Sequence, residues 1–149
     1  MLSANCGFQD APQGQLLLIH YGPELWVDIG FDSNYKPDRN APPIPKISRV
    51  HALVDTGARQ SCIDSALASE LGLPVFDRRT VSGVNGALEV DFHLAQVHVP
   101  SLKFTLQGAF AGVPLIASGF RHKALLGRSF LSYVKMEYDG RTGQVVISC

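Results

Sequence analysis

Residues 51–64 read HALVDTGARQSCID, and this stretch decides how the rest of the chain is read. An apolar run, Ala52-Leu53-Val54, ends on Asp55, with Thr56 and Gly57 directly behind it. A carboxylate at the end of a buried strand costs free energy unless something there makes use of it. The threonine hydroxyl can bond to backbone, and the glycine lets the chain bend and another backbone come close. Such a turn fixes a carboxylate in one orientation at a strand end. Taken alone, the tripeptide favours a plainer reading, a turn aspartate bonding its own backbone. The flanking sequence decides against that.

Around the tripeptide the chain divides into short elements. Arg49–Asp55 reads as a strand rich in Val, Leu and Ala, and Arg59–Ile63 as another. Ser65–Leu71 is the one convincing helix. Asp64 can cap its first amides, Leu67 and Leu71 share a face, Gly72 suits the left-handed position after the end, and Pro74 forbids continuation. RRTVSGVNGALEVDFHL, residues 78–94, predicts a hairpin turning at Asn85-Gly86, because both central residues of a type I′ turn need positive φ. Leu88, Val90, Phe92 and Leu94 alternate, but the apolar phase then moves to Val97 and Val99, which predicts a bulge or bend near Ala95-Gln96. Further strands are expected at Lys103–Phe110 and Val113–Ala117. ALLGRSFLSY, residues 124–133, predicts a strand, a tight glycine and a short helical turn. VKMEYDGRTGQVVIS, residues 134–148, predicts a closing hairpin. Upstream, Gln15–Tyr21 and Glu24–Phe31 read as two strands around Gly22-Pro23, and residues 32–46, with four prolines, as an exposed loop.

Many short strands with Gly, Pro and Asn turns and one short helix indicate a mostly β fold, and 149 residues suit a single domain, 1–149. Apolar residues make up 46% and charged residues 17%, so much of the chain can be core. Lysines plus arginines and aspartates plus glutamates both total 13, a balance that gives no electrostatic reason to expect nucleic acid or an anionic membrane as partner. The apolar stretch GAFAGVPLIASGF, residues 108–120, is too short to cross a bilayer, and the first residues lack the pattern of a signal peptide. Three cysteines without a CxxC pair, and five scattered histidines, predict neither a disulfide framework nor a metal site. These features predict a soluble, cytoplasmic protein without a cofactor.

One carboxylate is a poor catalyst of amide hydrolysis. Two held together can share a proton, one acting as base toward a water and the other as acid toward the carbonyl oxygen, because like charges at close range cannot both ionise easily. Only one Asp-Thr-Gly occurs here, so a second carboxylate has to come from a second copy, with Asp55 facing itself across a two-fold axis.

ALVDTGARQSCI, the helix SALASELGL, the hairpin VSGVNGALEV and ALLGRSFL, in that order, resemble the retropepsin family of homodimeric retroviral-type aspartic proteases and their cellular relatives. The resemblance covers residues 48–149, the core, and leaves 1–47 as N-terminal strands and a Pro-rich loop without an obvious counterpart. It implies a closed β-barrel of the acid protease kind, a flap hairpin, a homodimer, and a peptide or protein as substrate. It also implies roles for individual residues. Asp55 matches the catalytic aspartate, Thr56 the threonine that locks two catalytic loops across the dimer axis, and Gly57 and Ala58 the loop that meets substrate backbone. Ser82, Gly83, Val84, Asn85 and Gly86 match the flap tip, together with Ala87. Leu125, Leu126 and Gly127 match an element packed behind the catalytic loop, and Arg128 an arginine that pairs with an acid in the viral enzymes. That acid is replaced here by Arg59, so Arg128 needs another partner. Gln144–Cys149 falls where the viral enzymes build an interface sheet. The expected activity is that of an aspartic endopeptidase; the alternative is a protease-like dimer that binds peptides or partner proteins without cutting them.

Overall fold

The computed structural model describes residues 1–83 and 86–149. Ten strands dominate the described residues: β1 (Ser3–Asn5), β2 (Glu24–Gly30), β3 (Ile47–Val54), β4 (Cys62–Asp64), β5 (Val75–Gly83), β6 (Gly86–Val99), β7 (Phe104–Val113), β8 (Ala124–Leu126), β9 (Lys135–Asp139) and β10 (Gln144–Ser148). Three short α-helices join them, α1 (Gly14–Tyr21), α2 (Ser65–Glu70) and α3 (Arg128–Leu131), with a 3₁₀ turn at Pro100–Leu102. Seven strands pair in the order β2-β3-β8-β4-β7-β6-β5, and β2 pairs also with β6 through Asp28–Gly30. The β3–β8 and β4–β7 pairings are parallel and the rest of this sheet is antiparallel. A second sheet, β1-β10-β9, joins the two ends of the chain.

The main core lies between these layers. Val27, Ile29, Ile63, Val97, Phe110, Leu126, Phe130, Val145 and Ile147 are all fully buried in it. A smaller cluster, Val90, Phe92 and Ala111 with Cys62, Val81 and Val113 at its edge, sits under the base of the β5–β6 hairpin.

Several expectations are met. Asp64 caps α2 by accepting the Leu67 N–H at 3.2 Å, and Gly72 has φ of 63°. The strand–glycine–helix unit at β8, Gly127 and α3, the closing hairpin β9–β10, and the loop over 32–46 all occur. Asp32 steadies that loop by accepting the Asn34 and Ile44 N–H groups, and the buried Gln96 side chain exchanges two hydrogen bonds with the Asp32 backbone.

Others need correction. Gln15–Tyr21 is helical, not a strand, so the described residues hold three α-helices in place of one. LLLI carries neither a two-residue nor a 3.6-residue apolar period, so pattern does not separate the two states; the helix is closed by Gly22, whose N–H bonds the Leu18 carbonyl at 2.9 Å. Val113–Ala117 is not a strand beyond Val113. The Asp64 carboxylate accepts the Ile116 N–H at 3.1 Å, and Ser118 and Phe120 donate back to the Leu115 carbonyl, so the backbone there turns. Of Arg59–Ile63 only Cys62 and Ile63 pair as strand. No bulge breaks β6 near Ala95-Gln96: its register with β7 is continuous from Phe92–Ala111 to Val99–Phe104. The apolar phase changes because β6 covers two clusters in turn. Val90 and Phe92 face the small one, and Ala95, Val97 and Val99 face the main core from the other side of the strand. The irregularity falls instead in β5, between Val75 and Asp77. Gln144–Ser148 pairs within its own chain on both edges, with β1 and with β9.

Candidate active site

Asp55 stands one residue past β3, and the loop that carries it is braced from behind. Its N–H continues the parallel β3–β8 pairing by donating to the Leu126 carbonyl at 2.9 Å. Its carboxylate Oδ1 accepts the Gly57 N–H at 2.8 Å, and its carbonyl accepts the Ala58 N–H at 3.3 Å. The side chain is therefore held in one orientation by its own turn. Asp55 is half-buried, while Thr56 and Gly57 are exposed.

The brace comes from the β8–α3 junction. Arg128 donates its N–H to the Ala58 carbonyl at 2.8 Å, and Ser129 donates its own to the Arg59 carbonyl at 3.2 Å. The Arg128 guanidinium reaches the Thr56 carbonyl through Nη1 at 2.8 Å. That carbonyl is the partner the sequence did not name. Arg59 itself is exposed. Gly127 runs so close to the loop that a Cβ there would meet the Ala58 and Gln60 carbonyl oxygens at 2.7 Å. Leu126 is buried in the main core, and Leu125, with Ala124, is buried beside it on β8.

Two hydroxyls complete the lock. Ser61 Oγ accepts the Gly127 N–H at 3.1 Å and lies 2.9 Å from Ser129 Oγ, which in turn accepts the Ser61 N–H at 3.2 Å. The sequence reading passed over both serines. They stand 68 positions apart and carry no periodic signal, so only the fold brings them together.

Cys62 packs against the small cluster. Burial, with the Asp55 charge nearby, pushes its thiol up to about 11, so it stays protonated and unreactive at neutral pH. The same cluster takes Val81 from β5, which places the base of the β5–β6 hairpin beside the Asp55 loop. From Asp77–Phe92 to Gly83–Gly86 the hairpin register is regular. Ser82 and Ala87 are exposed. Gly86 has φ of 105°, a conformation that favours glycine. Val84 and Asn85, expected at the hairpin turn, lie outside the described residues.

Glu24, Arg121 and His122 form a second polar cluster that sequence reading did not single out. The nearly buried Glu24 carboxylate accepts from Arg121 Nε at 2.7 Å and from Arg121 Nη2, and lies 2.5 Å from His122 Nε2. Burial works to raise the Glu24 carboxyl, but the hydrogen bonds and charge of Arg121, helped by His122, outweigh it and hold the group below its ordinary range. Burial lowers His122 in spite of Glu24. A neutral imidazole protonated on Nε2 fits both facts, because Nδ1 is buried without a partner among the described residues and a proton there would be an unpaired donor.

The family described as "gag-polyprotein putative aspartyl protease" matches residues 46–133 of the chain. No curated protein matches it. Among solved structures, the simian foamy virus (mac) protease in solution is 14% identical, with 74% of this chain and 92% of that one covered at a TM-score of 0.47. The EIAV protease complexed with the inhibitor HBY-793 is 19% identical, with 74% and 86% covered at 0.45. A retropepsin-like aspartic protease from Rickettsia conorii is 20% identical, with 83% and 89% covered at 0.49. No described helix is long and apolar enough to cross a membrane.

Proposed function

The chain belongs to the retropepsin-type aspartyl protease family, and on that footing we propose that it is an aspartic endopeptidase acting as a homodimer. One observation carries the reading: the Asp55 carboxylate is fixed by the Gly57 N–H and the loop that carries it is cross-braced from behind by Gly127, Arg128 and the two serines, while Thr56 and Gly57 beside it are open to the outside. A turn built only for stability has no need of so many bonds behind a half-buried acid.

In this reading two copies meet across a two-fold axis at their Thr56 and Gly57 faces, and the two Asp55 carboxylates share one proton. The strands β2-β3-β8-β4-β7-β6 close through the β2–β6 pairing into a barrel, and the β5–β6 hairpins act as flaps over the groove. An extended peptide lies beneath them and meets the backbone of Gly57 and Ala58. The ionised carboxylate takes a proton from a water held between the pair, the water oxygen attacks the scissile carbonyl carbon, and the protonated carboxyl gives its proton to the carbonyl oxygen. Collapse of the tetrahedral intermediate breaks the C–N bond as the carboxyl that took the water proton gives it to the amine nitrogen and the other carboxylate takes back a hydroxyl proton, which restores the singly protonated pair. Water is the only co-reactant, so the chemistry balances without a metal or organic cofactor.

Peptide-library cleavage by wild type and Asp55→Asn tests this. Removing a general acid–base group costs on the order of 10²–10⁴-fold, and here both subunits lose theirs, so cleavage is expected to fall to background while the fold is kept. Undiminished cleavage by Asp55→Asn would sink the mechanism. Peptide binding without cleavage by wild type would leave the non-cutting binder in its place.

A further inference from the structure

An open groove of about 680 Å³ separates β1 from the outer face of β2 and β3, with Pro100 and Ser101 at one side. Leu25 and Val27 are buried, so Glu24, Trp26 and Asp28 turn outward from β2 and form the floor with Arg49 and His51 of β3. Trp26 stands opposite His51 in the β2–β3 register, and the two rings stack with centroids 3.8 Å apart. The indole is still 46% exposed. The Arg49 guanidinium lies over the same ring, 5.0 Å from its centroid. Arg49 reaches that place because the register shifts between Val27 and Ile29 and its own φ is 58°. Asp28 Oδ1 holds the bend by accepting the Arg49 N–H at 2.9 Å. A left-handed arginine inside a strand is strained backbone that its surroundings maintain.

The other wall is a strand edge. Leu2 and Cys149 exchange both of their N–H···O bonds, and Cys6 donates to the Val145 carbonyl, so Leu2, Ala4 and Cys6 turn their backbone groups toward β10. Antiparallel pairing alternates, which leaves the N–H and C=O groups of Ser3 and Asn5 on the free side of β1. The sheet order β1-β10-β9 makes β1 an edge. The opposite edge, β9, carries Lys135, Glu137 and Asp139, charges of the kind that keep an added strand away, whereas Ser3–Asn5 carries none. The charges in the groove are unevenly matched. Glu24 is engaged by Arg121 and His122, and Asp28 by the Arg49 N–H. The Arg49 guanidinium forms no ion pair among the described residues.

We propose that this groove docks an extended segment of a partner polypeptide, which adds to the free edge of β1 and sets an acidic side chain on Arg49. Ser3 and Asn5 offer their backbone groups two residues apart, about 7 Å along the strand, the repeat that an added strand presents. Side chains of that segment on the floor side meet Trp26. A carboxylate among them finds a guanidinium already seated on a ring and open along its donor edge. A lysine at the same place meets like charge. β1, Glu24, Trp26 and Asp28 all precede residue 46, outside the span that the family match covers.

Trp26 is the only tryptophan of the chain, so its fluorescence reports on this groove. Blocked peptides of alternating Thr and Val with one central Glu, Gln or Lys are titrated against Asp55→Asn, which leaves them uncut. The Glu peptide is expected to give a saturating change, the Gln peptide to bind about tenfold more weakly, and the Lys peptide more weakly still. Arg49→Gln is expected to abolish the difference between Glu and Gln. Ser3→Pro removes a free N–H of the edge and none that bonds β10. It is expected to weaken the Glu peptide about tenfold with an unchanged urea midpoint. N-methylation of alternate peptide amides is expected to do the same in one of its two phases and not in the other. No fluorescence change up to about 1 mM Glu peptide overturns the proposal, as does equal binding of the three peptides. Binding indifferent to Ser3→Pro and to both methylation patterns overturns the added strand, and the proposal with it. A Trp26 signal that varies with protein concentration alone, and ceases to do so in Ser3→Pro, overturns it in favour of a second copy of this chain on the same edge.

Discussion

Gly127 shows how a single atom governs the loop that carries Asp55. Its backbone lies against the Ala58 and Gln60 carbonyls, and the Ser61 hydroxyl accepts its N–H. A Cβ would need those carbonyls to retreat by several tenths of an ångström, and both belong to the loop that carries Asp55. Gly127→Ala is expected to cost about 1–3 kcal/mol, the usual range for overpacking, and to lower cleavage more than the stability loss explains, because the displaced carbonyls lie within five residues of the acid. Urea midpoints and cleavage rates on the same preparations check this; a variant with unchanged midpoint and rate would show the contact to be slack. Most of the candidate site was legible as residues. Asp55, Gly57, Gly127 and Arg128 stand in the sequence as a strand-end acid and a glycine–arginine pair, and the structure brings them together. The partner of Arg128 was not legible, because it is a backbone carbonyl, Thr56, and the sequence names side chains only. Ser61 and Ser129 escaped for a related reason: an isolated serine is usually a surface residue, and nothing local tells it that a glycine N–H will arrive from the far end of the chain.

At the scale of elements, Asp64 does the work of two residues. It is almost fully buried, and one oxygen caps α2 through Leu67 while the other holds the Ile116 N–H. Asp64→Ala removes a cap, worth about 1 kcal/mol, and takes the acceptor from the Ile116 N–H in an exposed turn, worth about 0.5–1.5 kcal/mol more. A loss of roughly 1.5–2.5 kcal/mol is expected in chemical denaturation, and the turn over 114–119, which adjoins Phe120, is expected to gain hydrogen exchange. Loss below about 0.5 kcal/mol, no more than an ordinary surface substitution costs, would mean that water replaces the carboxylate. Sequence found the cap because capping is local, but not the second bond, which spans 52 positions. The same division explains the mistaken strand at Val113–Ala117, whose apolar run suits a strand until Asp64 draws its amide into a turn. It also explains β6. A two-residue period reports which face is buried, not how many clusters the strand crosses, so a change of cluster looks in sequence like a bulge. At α1 the run LLLI had no period to read, and tertiary packing of Leu18 settled the state.

The whole molecule carries a pH dependence that follows from where its charges are buried. Burial lowers His122 below its ordinary 6.5, and burial lowers His98 in the same direction. Below pH 6.5 the unfolded chain takes up protons that these folded imidazoles refuse, so their contribution is complete above that pH and shrinks as the medium is acidified, levelling off once the folded groups protonate as well. Glu24 acts in a lower window. Burial favours its neutral form, but Arg121 and His122 hold it ionised below its ordinary 4.5, so its contribution is present above pH 4.5 and is lost as the pH falls through the folded value. Each proton taken up preferentially by the unfolded state changes stability by up to about 1.4 kcal/mol per pH unit. Urea midpoints are therefore expected to hold between pH 8 and 7, decline through pH 6 as the imidazoles titrate, and decline again below pH 4.5. Glu24→Gln should weaken the second decline, leaving what Asp77 and Asp139 contribute through their own arginine partners, and should deepen the first, because Glu24 is the group that opposes the lowering of His122. A midpoint flat from pH 7 to 5 would show that both imidazoles titrate as they do in the unfolded chain, and the proposed buried, neutral state of His122 would fail with it.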